Sequence, residues 1–234
     1  MKALLLVPDQ DSPGRKDVTH AFLPEARAFA RHHKLDADDP NTLKRFPTNA
    51  PLDHRRAVCS LALRSVSSPI DVLALFCHGW KAGVQCGWMR QHVQTLARLL
   101  GQHMRIDGHV LLYACDTAKD MDDDEVDERA GGPGGDGGFA DMLRDSCEVL
   151  GRRVQVMGHT QTAHTTMNPF ARYFAPGCGG KGGHWYVEPD APHWSAWCRA
   201  LRDPRSTLRY RFWQMTPDEI AAELARKPPP PLVG

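Results

Sequence analysis

Two residues able to do nucleophilic chemistry stand directly after the two clearest apolar runs of this 234-residue sequence. His78 follows Ile70-Asp71-Val72-Leu73-Ala74-Leu75-Phe76-Cys77, and Cys115 follows His109-Val110-Leu111-Leu112-Tyr113-Ala114. A thiol near an imidazole is the basic requirement for a cysteine nucleophile: the base takes the thiol proton and later protonates the leaving group. Gly79 comes next to the histidine, so its N–H is unshielded and could line an oxyanion site with the N–H of Cys115.

Such residues act together only if the chain brings them together. Each run reads as a parallel strand covered on both faces. A helix carrying Val93, Leu96, Ala97 and Leu100 lies between them as the crossover. Consecutive parallel strands are usually neighbours, and in an open α/β sheet ligands bind beyond the carboxyl ends. His78 and Cys115 are therefore expected side by side on one edge.

The rest of the chain repeats this strand–helix alternation. Lys2 to Val7 reads as a first strand ending at Pro8. A helix is expected between Val18 and His33, with Pro24 near its start. Leu35 to Leu52 reads as irregular, and Asp53 as the N-cap of a helix through Val66. Phe139 to Leu150 reads as a helix closed by Gly151, and Val154 to Met157 as a strand. Asn168-Pro169 is expected to start a helix through Phe170, Tyr173 and Phe174. The sum is a doubly wound, mostly parallel α/β sheet in residues 1–176. Residues 177–234 read as a Trp/Arg-rich appendage packed on that domain. It ends in a helix whose capping box is Thr216-Pro217-Asp218-Glu219, followed by an extended, mobile end from Pro228 to Pro231.

Composition narrows the class. Charged residues make up 24%, which excludes wholesale disorder, and no apolar run approaches the ~18 residues of a membrane span. The N-terminal apolar stretch is too short for a secretory signal, so a cytoplasmic protein is expected. Seven cysteines without C-x-x-C pairs argue against a disulfide framework or a zinc knuckle. Cys59, Cys77, Cys86 and Cys147 read as buried small hydrophobes. The formal charge of +1 conceals a strong asymmetry. Asp116 to Glu128 holds eight acids and one lysine, a net of −7, which leaves +8 on the remainder.

A hydrophobic strand ending in His-Gly, followed by one ending in Ala-Cys, resembles the caspase-like (clan CD) cysteine peptidases. The residues that carry the likeness are Leu75-Phe76-Cys77-His78-Gly79 and Leu111-Leu112-Tyr113-Ala114-Cys115-Asp116, within an element order spanning about residues 2–174. The resemblance implies a caspase-like fold, His78 as general base and acid, and Cys115 as nucleophile. Two departures separate it from caspases proper. Their pentad is Q-A-C-[RQG]-G with the histidine ~50 residues upstream. Here it is Tyr113-Ala114-Cys115-Asp116-Thr117, and the histidine is 37 residues upstream. Compact bacterial CHAT-like or metacaspase-like domains fit better.

The resemblance also gives the acids a role. Relatives that cleave after Arg or Lys carry carboxylates near the nucleophile, where they can pair with a guanidinium. Asp116 is therefore a candidate substrate-binding residue, and the expected activity is a cysteine endopeptidase cleaving after a basic residue. The plainer reading of the acidic block is a solvated loop beside the glycine run. Calcium binding by Asp122 to Asp127 is a third reading, although EF-hand alternation is lacking. Arg129 is a candidate self-cleavage site, since loops of this composition tolerate nicking. In Gly158-His159-Thr160-Gln161-Thr162-Ala163-His164, the imidazoles of His159 and His164 are candidates to line the substrate groove; their plainer reading is loop and cap residues.

Other readings carry less. Gly158-His159-Thr160-Gln161 lacks the serine of a G-x-S-x-G elbow. Cys178, His184 and His193 match no common zinc spacing. No metal or cofactor is expected. The tail arginines (Arg199, Arg202, Arg205, Arg209, Arg211) alternate with aromatics and suit a covering element first and a regulatory protein partner second; neither nucleic acid nor a membrane is expected as a partner. The rival to a peptidase is an inactive caspase-like interaction module in a multi-protein or defence assembly.

Overall fold

In chain order the elements are β1 (Ala3–Pro8), α1 (Leu23–His32), β2 (Leu43–Phe46), α2 (Leu52–Ser65), β3 (Ile70–Phe76) and the hairpin β4 (Gly79–Trp80) and β5 (Gly83–Val84). Then come α3 (Val93–His103), β6 (Met104–Tyr113), α4 (Phe139–Val149), β7 (Gln155–His159), β8 (Ala171–Phe174), β9 (His184–Trp185), α5 (Trp194–Arg202), α6 (Leu208–Arg211) and α7 (Pro217–Arg226). This computed structural model describes residues 1–12, 14–15, 20–67, 69–121, 134–177 and 182–226. Asp122 to Asp127, Arg129, Cys178 and the segment Pro228 to Pro231 lie outside the described residues.

Seven strands form one sheet in the order β2-β1-β3-β6-β7-β8-β9. The first five run parallel, while β8 and β9 are antiparallel additions at one edge. Strand alternation sends successive side chains to opposite faces, and both faces here are apolar. Leu4, Leu6, Leu73, Leu75, Val110 and Leu112 pack with α2, α3 and α4 on one face. Leu5, Val7, Val72, Ala74, Phe76, Leu111 and Tyr113 pack with α1 and the C-terminal helices on the other. The structure is thus an α/β fold with a mostly parallel central sheet and helices on both faces. Among the described residues, no helix is long and apolar enough to cross a membrane.

Asp53 lies in the first turn of α2, whose N-cap is Pro51, and two further elements also depart from the sequence expectation. Residues 35–52 contain the edge strand β2, whose middle residues Lys44 and Arg45 are exposed between buried Leu43 and Phe46. A four-residue charged edge strand leaves little periodic signal. The helix expected from Asn168 is instead β8. Phe170, Tyr173 and Phe174 have helical spacing, but Asn168 Oδ1 accepts the Phe170 N–H in a local turn. Tyr173 and Phe174 then fall on opposite faces of the sheet.

The tail supplies β9 and most of one helical layer. Trp197, Leu201, Phe212, Trp213, Ile220 and Leu224 are buried against α1 and the sheet. The capping box forms as its residues suggest: Thr216 Oγ1 accepts the Glu219 N–H, and the Glu219 carboxylate accepts the Thr216 N–H.

Candidate active site

Strands β3 and β6 are neighbours, with Phe76 opposite Tyr113 in register. The residues that follow each strand therefore leave the sheet at the same edge. His78 and Cys115 line one cavity of about 300 Å³, together with Ala21, Phe22, Tyr113, His159 and Ala163. The expected juxtaposition is present, and it follows from strand order and register rather than from the loops.

His78 is held from several sides. Its Nε2 lies 2.5 Å from Asp11 Oδ1, and the Phe22 ring meets its ring edge-on at 4.9 Å. Gln85, buried at the base of the β4–β5 hairpin, ties the same parts together. Its Nε2 donates to the Asp11 carbonyl, its Oε1 accepts the His78 N–H, and its own N–H donates to the His78 carbonyl. A carboxylate on one imidazole nitrogen fixes the ring's orientation and favours the tautomer with hydrogen on that nitrogen. The other nitrogen, Nδ1, is then left as the base.

Cys115 opens a tight turn wedged between two strands. Asp116 has a left-handed backbone, φ +57°, which is uncommon outside glycine and least unfavourable for Asp or Asn. The turn is tied to the neighbouring strand by the Ala118 N–H, which donates to the His159 carbonyl. Glycines flank it on both sides. A Cβ on Gly79 would lie 2.6 Å from the Cys115 carbonyl oxygen, and one on Gly158 would lie 2.7 Å from Thr117 Oγ1. Gly79 therefore permits a close backbone approach to the cysteine.

The Cys115 side chain is half-buried, and its Sγ is 3.8 Å from the Ala163 carbonyl. Burial pushes its thiol pKa up, and the Asp116 carboxylate pushes it further. Cys115 is thus held as a neutral thiol. Cys59, Cys77, Cys86 and Cys147 are buried free thiols, as their positions suggest, and Cys198 is half-buried in α5.

The remaining candidates divide between the cavity and its rim. His159 and His164 both belong to the cavity lining. His159 is buried, and desolvation takes its pKa down to about 3, so the ring is neutral. Asp116 is not among the lining residues; its Oδ2 accepts a long hydrogen bond from Thr162 Oγ1 at 3.5 Å. His184 and His193 line a separate cavity at the far edge of the sheet. Among the described residues, no group of three or more His, Cys, Asp or Glu side chains is placed to hold a metal ion.

Asp11, Gln85, Phe22 and Tyr113 were not expected at this site. Asp11 had a usable signal: it stands in the loop after β1, which neighbours β3, at the edge where ligands bind. Gln85 and Phe22 had none, because their roles depend on how the hairpin and the start of α1 fold over the sheet. No protein-family model matches the sequence, and no curated protein matches it either.

Proposed function

We propose that the chain is a cysteine endopeptidase with a caspase-like arrangement, in which Cys115 is the nucleophile and His78 the general base and acid. The observation that carries this reading is the shared cavity of His78 and Cys115 at adjacent parallel strand ends, with Asp11 on Nε2 of the histidine. The sheet order supports the same arrangement, since a parallel sheet with the histidine and cysteine strands at its centre is what the sequence resemblance implies.

In the first step the His78 Nδ1 removes the Cys115 proton as Sγ bonds to the scissile carbonyl carbon. The carbonyl π electrons move to oxygen, and the N–H groups of Gly79 and Cys115 stabilise the oxyanion. Collapse of this intermediate breaks the C–N bond, and His78 returns the proton to the departing amine. Water then repeats the sequence on the thioester, with His78 again taking and returning one proton. Asp11 is a positioning residue that keeps Nδ1 turned toward the cysteine. The Asp116 carboxylate lies outside the cavity lining and accepts from Thr162, so the basic-residue preference expected from the resemblance is not assigned to it.

A non-catalytic interaction module is favoured by one observation, the upward-shifted Cys115 thiol. Labelling with a peptide-based thiol electrophile, followed by mass spectrometry, separates the two. The peptidase reading expects Cys115 to be modified at least ~100-fold faster than Cys198, with the fast phase lost in Cys115→Ala. Equal labelling of wild type and Cys115→Ala would remove the nucleophile and leave the interaction module.

A further inference from the structure

The cavity beside the dyad carries information about what enters it. Its walls are largely apolar, built from Ala21, Phe22, Ala114 and Ala163. Three residues of the lining bring buried polar atoms with no hydrogen-bond partner among the described residues: the Tyr113 hydroxyl, His159 Nε2 and His164 Nδ1. Buried polar atoms in folded proteins are nearly always paired, so three orphans around one cavity point to a ligand that pairs them. The Tyr113 and His159 rings lie 6.0 Å apart, close enough for one small polar group to reach both.

The character of the missing partner follows from the donors and acceptors. A tyrosine hydroxyl can donate and accept, and a neutral imidazole nitrogen does one or the other according to its tautomer. His159 is neutral because burial takes its pKa down to about 3. Among the described residues, no Asp, Glu, Lys or Arg lines the cavity. A guanidinium or ammonium entering this space would lose its hydration without meeting a carboxylate, and a carboxylate would meet no fixed cation. A carboxamide matches on both counts: it is uncharged, it offers one acceptor and two donors, and its methylene stem suits the apolar walls.

We propose, on the reading of Cys115 and His78 as a peptidase dyad, that this cavity receives the side chain preceding the scissile bond. The selected residue is glutamine or asparagine, its amide paired with the Tyr113 hydroxyl and His159 Nε2. Tyr113 and His159 are then specificity-determining residues. Asp116, on the rim, is not the selector.

A series of fluorogenic peptides that differ only at the residue before the cleaved bond (Gln, Asn, Arg, Lys, Leu) tests this. Gln or Asn should give the highest kcat/KM, at least ~10-fold above Arg, Lys and Leu. In Tyr113→Phe, which keeps the ring and removes only the hydroxyl, the ratio of amide to Leu substrate should fall toward one. A maximum at Arg or Lys, or equal turnover of Gln and Leu, overturns the proposal. Calorimetric titration of Cys115→Ala with acetylated peptides ending in Gln-amide or Arg-amide reads the pocket without the chemistry. Tighter binding of the Gln peptide, weakened by Tyr113→Phe in the same background, upholds the pocket even if no peptide is cleaved and the peptidase reading falls. Equal binding of the two peptides overturns the pocket.

Discussion

The two strand ends that meet at the cavity are built differently. After β3, His78 is braced by Asp11, by Phe22 and through Gln85, and these contacts draw on the β1 loop, the start of α1 and the β4–β5 hairpin. After β6, the Cys115 side chain has a 3.8 Å contact to the Ala163 carbonyl and a hydrogen-bonding neighbour in Thr162, while its backbone is fixed in a strained turn between two glycines. The histidine end fixes a side chain; the cysteine end fixes a backbone. The contrast fits their tasks. A base works only when one ring nitrogen is aimed correctly, so its orientation must be set in advance. A nucleophile must move from a thiol to a bonded sulfur, and what must stay still is the amide N–H beneath it. Burial and Asp116 meanwhile hold the thiol in its protonated form, so on the proposed peptidase reading the cysteine end would depend on the histidine end for activation.

Three substitutions test how far this division holds. The largest effect belongs to the base: His78→Ala should lower peptide turnover by about 10²–10⁴-fold without changing the thermal midpoint greatly. If turnover survives, the cysteine does not depend on the braced histidine. Asp11→Asn should act through orientation alone, lowering kcat by about 10²-fold with KM nearly unchanged, and Asp11→Glu should recover part of the loss. A matching rise in KM would mean that Asp11 contacts substrate rather than aiming His78.

The next effect is on stability and comes from the cysteine side of the cavity. His159 has a folded-state pKa of about 3 against an ordinary value of 6.5. Below pH 6.5 the unfolded chain binds a proton that the folded chain refuses, so stability is complete above that value and falls as the pH approaches 3. The full loss is on the order of 5 kcal/mol from this residue. Urea unfolding of wild type and His159→Gln at pH 7, 5 and 4 should show the variant losing less stability in acid. Parallel curves would mean that the ring is hydrated or paired in solution.

The smallest effect concerns the thiol. Asp116→Asn removes a charge that raises the Cys115 pKa, and asparagine tolerates the same left-handed backbone. The rate of alkylation by iodoacetamide, measured against pH in a Cys198→Ser background, should therefore rise at lower pH than in the parent. An unmoved profile would leave burial alone as the cause of the shift.

Much of the scaffold was legible because its signals are local and repeated. The apolar runs of β1, β3 and β6 are long and end in polar residues, and α3 and α4 bury regular stripes against them. The pairing of His78 with Cys115 followed from a topological rule acting on those runs. The misread segments are those whose local signal was short or ambiguous. In β8, the spacing of Phe170, Tyr173 and Phe174 suits a helix, and only the neighbouring strand makes it a sheet edge. In β2, four residues were too few to show a period.

The sequence by itself determined the central strands and the edge at which His78 and Cys115 meet. Strand character, crossover helices and the glycine after His78 are encoded within a few residues of where they act. Only the tertiary structure decided which carboxylate faces the histidine and which polar atoms are buried beside the cavity. Asp11 is 67 residues from His78, and Tyr113 and His159 reach the cavity from different strands. Such partners are chosen by the approach of distant segments in three dimensions, and spacing along the chain carries no record of it. The acids that dominate the charge pattern illustrate the point. Asp116, next to Cys115 in sequence, sits on the rim, whereas Asp11, far away in sequence, makes the contact to His78.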